Sequence, residues 1–145
     1  MSLQDWVKNT WLVEHRTSRQ EIADLLAVAQ RDLSDCQSDG LSVDWQLNIA
    51  YNAALQLATA ALAAAGYRAS RDAHHFRVIQ SLALTIKADA VLVAQFDAFR
   101  KKRNTAGYER IGMISEKEAK EMVELAKRLA REIPAWLKAN HPKLV

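Results

Sequence analysis

The chain has 145 residues and a formal net charge of only +3, a size that fits one domain with one core. Half of it is hydrophobic, and with only two prolines, four glycines and no cleanly alternating run, the composition predicts long helices and excludes an extended sheet. Cys36 is the only cysteine, which excludes an internal disulfide.

The charges are unevenly distributed along the chain. Residues 1–99 hold 8 basic and 11 acidic side chains, whereas residues 100–145 hold 12 basic and 6 acidic ones. Such a bias is typical either of a solvated helix face or of a surface that meets polyanions. Charge alone leaves both interpretations open.

The N-terminus shows no basic region followed by an apolar run, so we do not expect a secretory signal. The most apolar stretch, residues 49–65, is interrupted by Asn52, Gln56 and Thr59, and its many alanines drive membrane insertion weakly. With a single free cysteine, these features predict a cytoplasmic protein without a membrane span.

The first predicted helix covers residues 3–15. Residues 18–21 have the spacing of a capping box and predict the start of a second helix, which a turn at residues 38–40 follows. A third helix is predicted over residues 42–65, with Gly66 as its stop. Because this helix is apolar on nearly every side, we expect it to be buried.

In the second half of the chain, Ser70 or Asp72 is predicted to cap a fourth helix and Asp89 a fifth. Residues 115–118 form a second capping box that opens the last helix, which Pro134 is expected to end or kink. Short connections make sequential helices antiparallel. We therefore predict an all-α, up-down antiparallel bundle of five to six helices, forming one domain over residues 1–145.

An arginine continues the apolar stripe of the fifth helix. Leu92, Phe96 and Phe99 share one face, and Arg103 follows four residues later on that face. An arginine at the end of a core stripe often packs its stem while its head reaches water. A structural role and an anion-binding role are both consistent with this pattern.

The same segment carries a resemblance to a known family. Residues 96–108 read Phe-Xaa-Xaa-Phe-Arg-Xaa-Xaa-Arg-Asn-Xaa-Xaa-Xaa-Tyr, which resembles the signature region of HEPN domains. The alanine-rich helix around residues 51–58, the His-His-Phe start of the next helix and the capped final helix are also similar to the family. The resemblance spans residues 42–135.

The resemblance implies a compact helical bundle, commonly a homodimer, that binds RNA or a nucleotide. Many members of the family are metal-independent endoribonucleases or toxins encoded beside a nucleotidyltransferase-like antitoxin. The resemblance therefore implies no metal and no other cofactor. It implies a ribonuclease, or the toxin component of a toxin–antitoxin module, as the function.

Carried over by position, Arg103 matches the catalytic arginine of the family and Asn104 its polar residue, while Tyr108 replaces the histidine. Arg100 and Lys101 are expected to line the phosphate-binding rim. Gly107 is predicted to end the helix, with Tyr108 just past it. A phenol, with a pKa of about 10, is a poor base at pH 7 but can donate a hydrogen bond. The tyrosine favours an alternative function, a non-catalytic helical dimerisation or interaction module.

Histidines offer a competing site. His74 and His75 can supply the missing imidazole or bind a metal, but in the first turn of a helix we expect them to hydrogen-bond locally. Asp72 and His75 form half of a carboxylate–histidine metal motif that has no second copy. The remaining histidines are scattered, so we predict no metal site. The tryptophans are interpreted mainly as core residues, with Trp6 and Trp11 as the alternative cover of a dimer surface.

Overall fold

A computed structural model of the chain describes residues 1–108 and 114–145, with side chains described for residues 1–104 and 114–145. The described helices are α1 (Leu3–Lys8), α2 (Arg19–Asp35), α3 (Val43–Ala64), α4 (His74–Ser81), α5 (Ala90–Tyr108) and α6 (Glu116–Asn140). Two short strands, β1 (Leu12–Glu14) and β2 (Tyr67–Ala69), and a 3₁₀ turn at Pro142–Leu144 accompany them. This mostly helical structure is compatible with the predicted all-α bundle.

Helix α3 is the centre of the fold. It packs most extensively against α2 and α6, and it also contacts α4 and α5. Most of its residues are buried, as predicted, and its many alanines allow the neighbouring helices to approach closely. By length and composition α3 could cross a membrane, but most of its surface is covered by the rest of the protein, as in the core helix of a soluble fold.

Three predicted helix starts are confirmed by hydrogen bonds. The Ser42 hydroxyl accepts from the backbone N–H of Trp45, and the Asp89 carboxylate accepts from the N–H of Leu92 at 2.8 Å. At the start of α6, Ser115 and Glu118 form a complete capping box. The caps at Asp89 and Ser115 are contacts between residues three apart, which is why the sequence pattern predicts them.

The box predicted over residues 18–21 is only half formed. The Ser18 hydroxyl accepts from the N–H of Glu21 at 3.1 Å. The Glu21 carboxylate instead contacts the His15 imidazole at 2.7 Å and accepts from the Thr17 hydroxyl at 2.6 Å. This acid therefore connects the start of α2 to the end of β1.

The predictions of a first helix to residue 15 and of no strand are wrong. Helix α1 ends at Lys8, and Thr10 adopts a positive φ of 65° that breaks the helix. Strand β1 then pairs antiparallel with β2, with Leu12 opposite Ala69. A three-residue strand is too short to show alternation, and its partner follows two helices later in the chain.

Three other predicted helix boundaries differ in the structure, namely the start of α4 and the ends of α5 and α6. Ala73, with a φ of 54° and no side-chain cap, precedes α4 in place of Ser70 or Asp72. The Ser70 hydroxyl donates to the carbonyl of Thr10 at 2.7 Å instead. Helix α6 continues past Pro134 to Asn140, because the buried side chains of its last turns still pack on the core.

Helix α5 likewise continues through Gly107, the predicted stop. The described helix includes Tyr108, which was predicted to lie just past its end. A glycine inside a helix costs only about 1 kcal/mol, which the neighbouring turns can offset.

Candidate functional site

The apolar stripe of α5 leads Arg103 to an aromatic ring of the central helix. Phe96 and Phe99 are buried, as predicted, and the Phe96 ring meets the Tyr51 ring edge-on at 5.6 Å. The guanidinium carbon of Arg103 lies 5.0 Å from the centroid of that same Tyr51 ring. Arg103 therefore continues the core face and is held by a cation–π contact.

The guanidinium of Arg103 keeps at least one N–H group without an acceptor among the described residues. Its Nε atom is buried, and no hydrogen-bond acceptor reaches it among the residues whose side chains the structure describes. Within the same residues, Arg103 forms no ion pair. A buried N–H without an acceptor costs about 1–3 kcal/mol, so such groups are rare in folded proteins. The residue as a whole is only half-buried.

A histidine from another helix completes this cluster. His75, in the first turn of α4, places its Nδ1 atom 3.3 Å from the Tyr51 hydroxyl oxygen. Burial lowers the pKa of His75 below its usual 6.5, and the positive charges of Arg103, His74 and Arg100 lower it further. The imidazole is therefore neutral at pH 7, and its Nε2 has no hydrogen-bond partner within residues 1–104 and 114–145.

The hydroxyl of Tyr51 stays protonated near neutral pH. Burial raises the pKa of Tyr51 to about 12, although the nearby cations Arg103 and Arg100 oppose the rise. A neutral phenol can either donate to the His75 ring or accept from it. Tyr51 therefore links the arginine and the imidazole, and it fixes the position of both. We define Arg103, Tyr51 and His75 as the Arg–Tyr–His cluster.

The predicted rim residues Arg100 and Lys101 share one carboxylate. The Arg100 Nε donates to Asp97 at 2.7 Å, and the Lys101 Nζ lies 3.6 Å from the other Asp97 oxygen. Asp97 is buried, whereas the Lys101 side chain is 70% exposed. The carboxylate offsets part of the positive charge, and it orients Arg100 beside the cluster.

Of the two other predicted site residues, only Asn104 has a side chain that the structure describes. Asn104 is exposed, because consecutive residues of a helix point about 100° apart. The side chain of Tyr108 lies outside the described residues. The sequence thus identified the arginine of the cluster and raised His74 and His75 as alternative sources of an imidazole, but it did not predict the role of Tyr51. The family resemblance did include Tyr51 and His75 in similar helical segments.

The histidine prediction is confirmed for one residue and wrong for the other. The exposed ring of His74 makes a local contact, from its Nδ1 to the carbonyl oxygen of Ser70 at 3.3 Å. The ring of His75 contacts a residue 24 positions away. In the described part of the chain, no three His, Cys, Asp or Glu side chains gather in a way that could hold a metal ion.

A cleft elsewhere on the described surface lacks the uniform charge that would favour one class of ligand. An open cleft of about 710 Å³ lies between α5 and α6, but acidic and basic side chains alternate along it, including Lys120, Glu124 and Arg128.

The tryptophans differ in burial. Trp45, which we expected in a buried helix, is 62% exposed, whereas Trp6 is buried.

Comparison with known proteins adds no relative. The sequence matches no protein-family model, no curated protein and no solved structure.

Proposed function

We propose that this chain is a HEPN-like protein that binds RNA or a nucleotide phosphate at the Arg–Tyr–His cluster. The observation that carries the proposal is the buried Nε of Arg103, which has no acceptor among the described side chains. A guanidinium is a planar fork that suits two phosphate oxygens at once. A phosphate beside Arg103 supplies the missing acceptor, and the half-exposed position of the residue gives it access.

The proposed chemistry is metal-independent cleavage of RNA, with His75 as the base. The ribose 2′ oxygen forms a bond to phosphorus, and the bond from phosphorus to the 5′ oxygen breaks. His75 removes the 2′ proton through its free Nε2, while the 5′ oxygen gains a proton from water. The products are a 2′,3′-cyclic phosphate and a 5′ hydroxyl.

Each member of the cluster has a role in this reaction. Arg103 stabilises the charge that develops on the phosphoryl oxygens. A neutral imidazole is the form that accepts a proton, and burial together with the nearby cations keeps His75 in that form at pH 7. Tyr51 orients the ring through its hydroxyl, as the third group of a base-containing triad does.

The remaining parts of the proposal rest on the family resemblance. They are a polar contact from Asn104, a hydrogen bond from Tyr108, and a basic rim formed by Arg100 and Lys101. A homodimer in which two motif segments face each other, a nucleotidyltransferase-like antitoxin as partner, and a cytoplasmic location complete it. A toxin role follows if the cleavage is unrestrained in the cell.

Replacement of one arginine tests the proposal. We expect Arg103→Ala to remain folded and to lose both binding of uridine 3′-monophosphate and cleavage of mixed RNA in chelator. Arg131→Ala is the matched control, because Arg131 is an exposed arginine of α6 and its loss changes the net charge equally. The readouts are isothermal titration for binding and detection of cyclic-phosphate ends for cleavage.

The same measurements separate the alternatives. Unchanged binding and cleavage in folded Arg103→Ala would refute the site. Nucleotide binding without cleavage would refute the catalytic part and retain the binding part. Neither activity in the unaltered protein would favour the non-catalytic dimerisation or interaction module.

A further inference from the structure

We propose that the site extends along α4 and α5 and holds a second phosphate of one RNA strand at Arg77 and Arg100, which both lie next to Phe76. The ligand class is then a single-stranded oligonucleotide and not an isolated nucleotide. This inference rests on the proposed function, since it adds a subsite to the Arg–Tyr–His cluster.

The observation behind it is a row of alternating rings and guanidinium groups. The guanidinium carbon of Arg77 lies 3.7 Å from the centroid of the Trp11 ring and 5.1 Å from that of Phe76. The guanidinium carbon of Arg100 lies 5.4 Å from the same Phe76 ring. All four side chains are half-buried, so each keeps an edge at the surface. We call these four residues the Trp–Arg–Phe–Arg row.

The β1–β2 strand pair positions Trp11, the first residue of this row. Trp11 immediately precedes β1, and its carbonyl accepts from the N–H of Ser70 at 2.9 Å, just after β2. The buried ring of Trp6 supports Trp11 edge-on at 5.6 Å. The Trp11 ring is therefore held in place by these contacts, and the guanidinium carbon of Arg77 lies over it at 3.7 Å. An arginine ordered in this way loses less conformational entropy on binding an anion.

The charges along the row favour an anion. No carboxylate lies within ion-pair distance of the Arg77 guanidinium, in so far as side chains are described. Among the described side chains, Arg100 pairs with the buried Asp97 carboxylate alone, which Lys101 shares. The ring contacts of Arg77 use none of its N–H groups in a hydrogen bond to a described residue, so these groups are available for phosphate oxygens.

The row is continuous with the cluster through two helices. On α4, His75 of the cluster directly precedes Phe76 and Arg77 of the row. On α5, Arg100 and Arg103 are three residues apart and share a face, and both lower the pKa of His75. One strand can therefore place successive phosphates along both groups.

The salt dependence of binding tests the second phosphate. The probe is an unstructured oligouridylate of ten nucleotides, compared with uridine 3′-monophosphate. For single strands, the slope of log affinity against log salt concentration falls by about 0.7 for each phosphate contact that is lost. We expect Arg77→Gln to lower the oligonucleotide slope by about 0.7 and to leave monophosphate binding unchanged. Arg77→Lys keeps the charge and should retain the slope, and Arg131→Gln is the matched control.

The outcomes distinguish this inference from the function on which it rests. An unchanged slope in folded Arg77→Gln, with monophosphate binding still dependent on Arg103, overturns only the second phosphate. Equal weakening of both probes by Arg77→Gln also overturns it, because the row would then be a structural clamp. Absence of any nucleotide binding overturns both proposals. An oligodeoxyuridylate of equal length that binds equally well identifies any single-stranded nucleic acid as the ligand.

Discussion

At the scale of single residues, the pKa of His75 reports on the assembly of the Arg–Tyr–His cluster. Burial is the larger cause of its lowered value, and the charges of Arg103, His74 and Arg100 add to it. In the unfolded chain the pKa returns to about 6.5, so the unfolded state binds the proton more tightly. The contribution of neutral His75 to stability is therefore present above about pH 6.5. It is lost as the pH falls towards the lowered pKa of the folded state.

We expect Arg103→Gln to raise the pKa of His75, because it removes a nearby positive charge that opposes protonation. The value should stay below 6.5, since burial remains. Titration of the imidazole ring signals by NMR measures this shift, with Arg131→Gln as the control that should leave the pKa unchanged. A His75 pKa equal in Arg103→Gln and the unaltered protein would mean that the two groups do not interact.

At the scale of an element, α4 starts in an unusual way. Ala73 precedes it in the left-handed region, with a φ of 54°, and no side chain caps the helix. For an L-residue with a Cβ atom this conformation costs about 1–2 kcal/mol. Ala73 lies between β2, which ends at Ala69, and α4, which carries His75 of the cluster and Arg77 of the row.

Replacement of this alanine by glycine should stabilise the protein. We expect Ala73→Gly to raise the free energy of unfolding by up to about 1 kcal/mol, because glycine adopts a positive φ without strain. Ala27→Gly, at an exposed helical position of α2, should lower it by about 1 kcal/mol. Urea denaturation followed by circular dichroism measures both. Destabilisation of similar size in the two variants would contradict a strained Ala73.

At the scale of the whole molecule, the central helix α3 sets how the other helices approach. Its buried alanines give α2 and α6 a smooth surface to pack on, and a polar link adds to this contact. The Asn52 side-chain amide donates to the buried Asp32 carboxylate of α2 at 2.6 Å. The Tyr51 ring next to it belongs to the cluster, so the packing of α3 also positions the site.

Enlarging one of these alanines should therefore destabilise the fold. Ala58 is fully buried, and we expect Ala58→Leu to lower the free energy of unfolding by about 1–3 kcal/mol through overpacking. Ala27→Leu, at an exposed position with the same change in side chain, should change it by less than about 0.5 kcal/mol. Urea denaturation of both variants gives the comparison. An Ala58→Leu variant as stable as Ala27→Leu would show that α3 is loosely packed.

The sequence by itself determined the features that depend on neighbours along the chain. The caps at Asp89 and Ser115 are such features, and so is the stripe that carries Arg103, because they need residues only three or four positions apart. Gly66 also stops α3 as predicted, with a φ of 101°.

Only the tertiary structure decided which distant side chains meet. Three contacts join residues that are far apart in sequence. They are the β1–β2 pair, the contact of Tyr51 with His75 and the contact of Trp11 with Arg77. No local pattern encodes such contacts, since they arise when helices and strands pack around a common core. The arginine of the candidate site was therefore predictable and His75 was an open alternative for its imidazole, whereas the aromatic residues that contact them were not predictable.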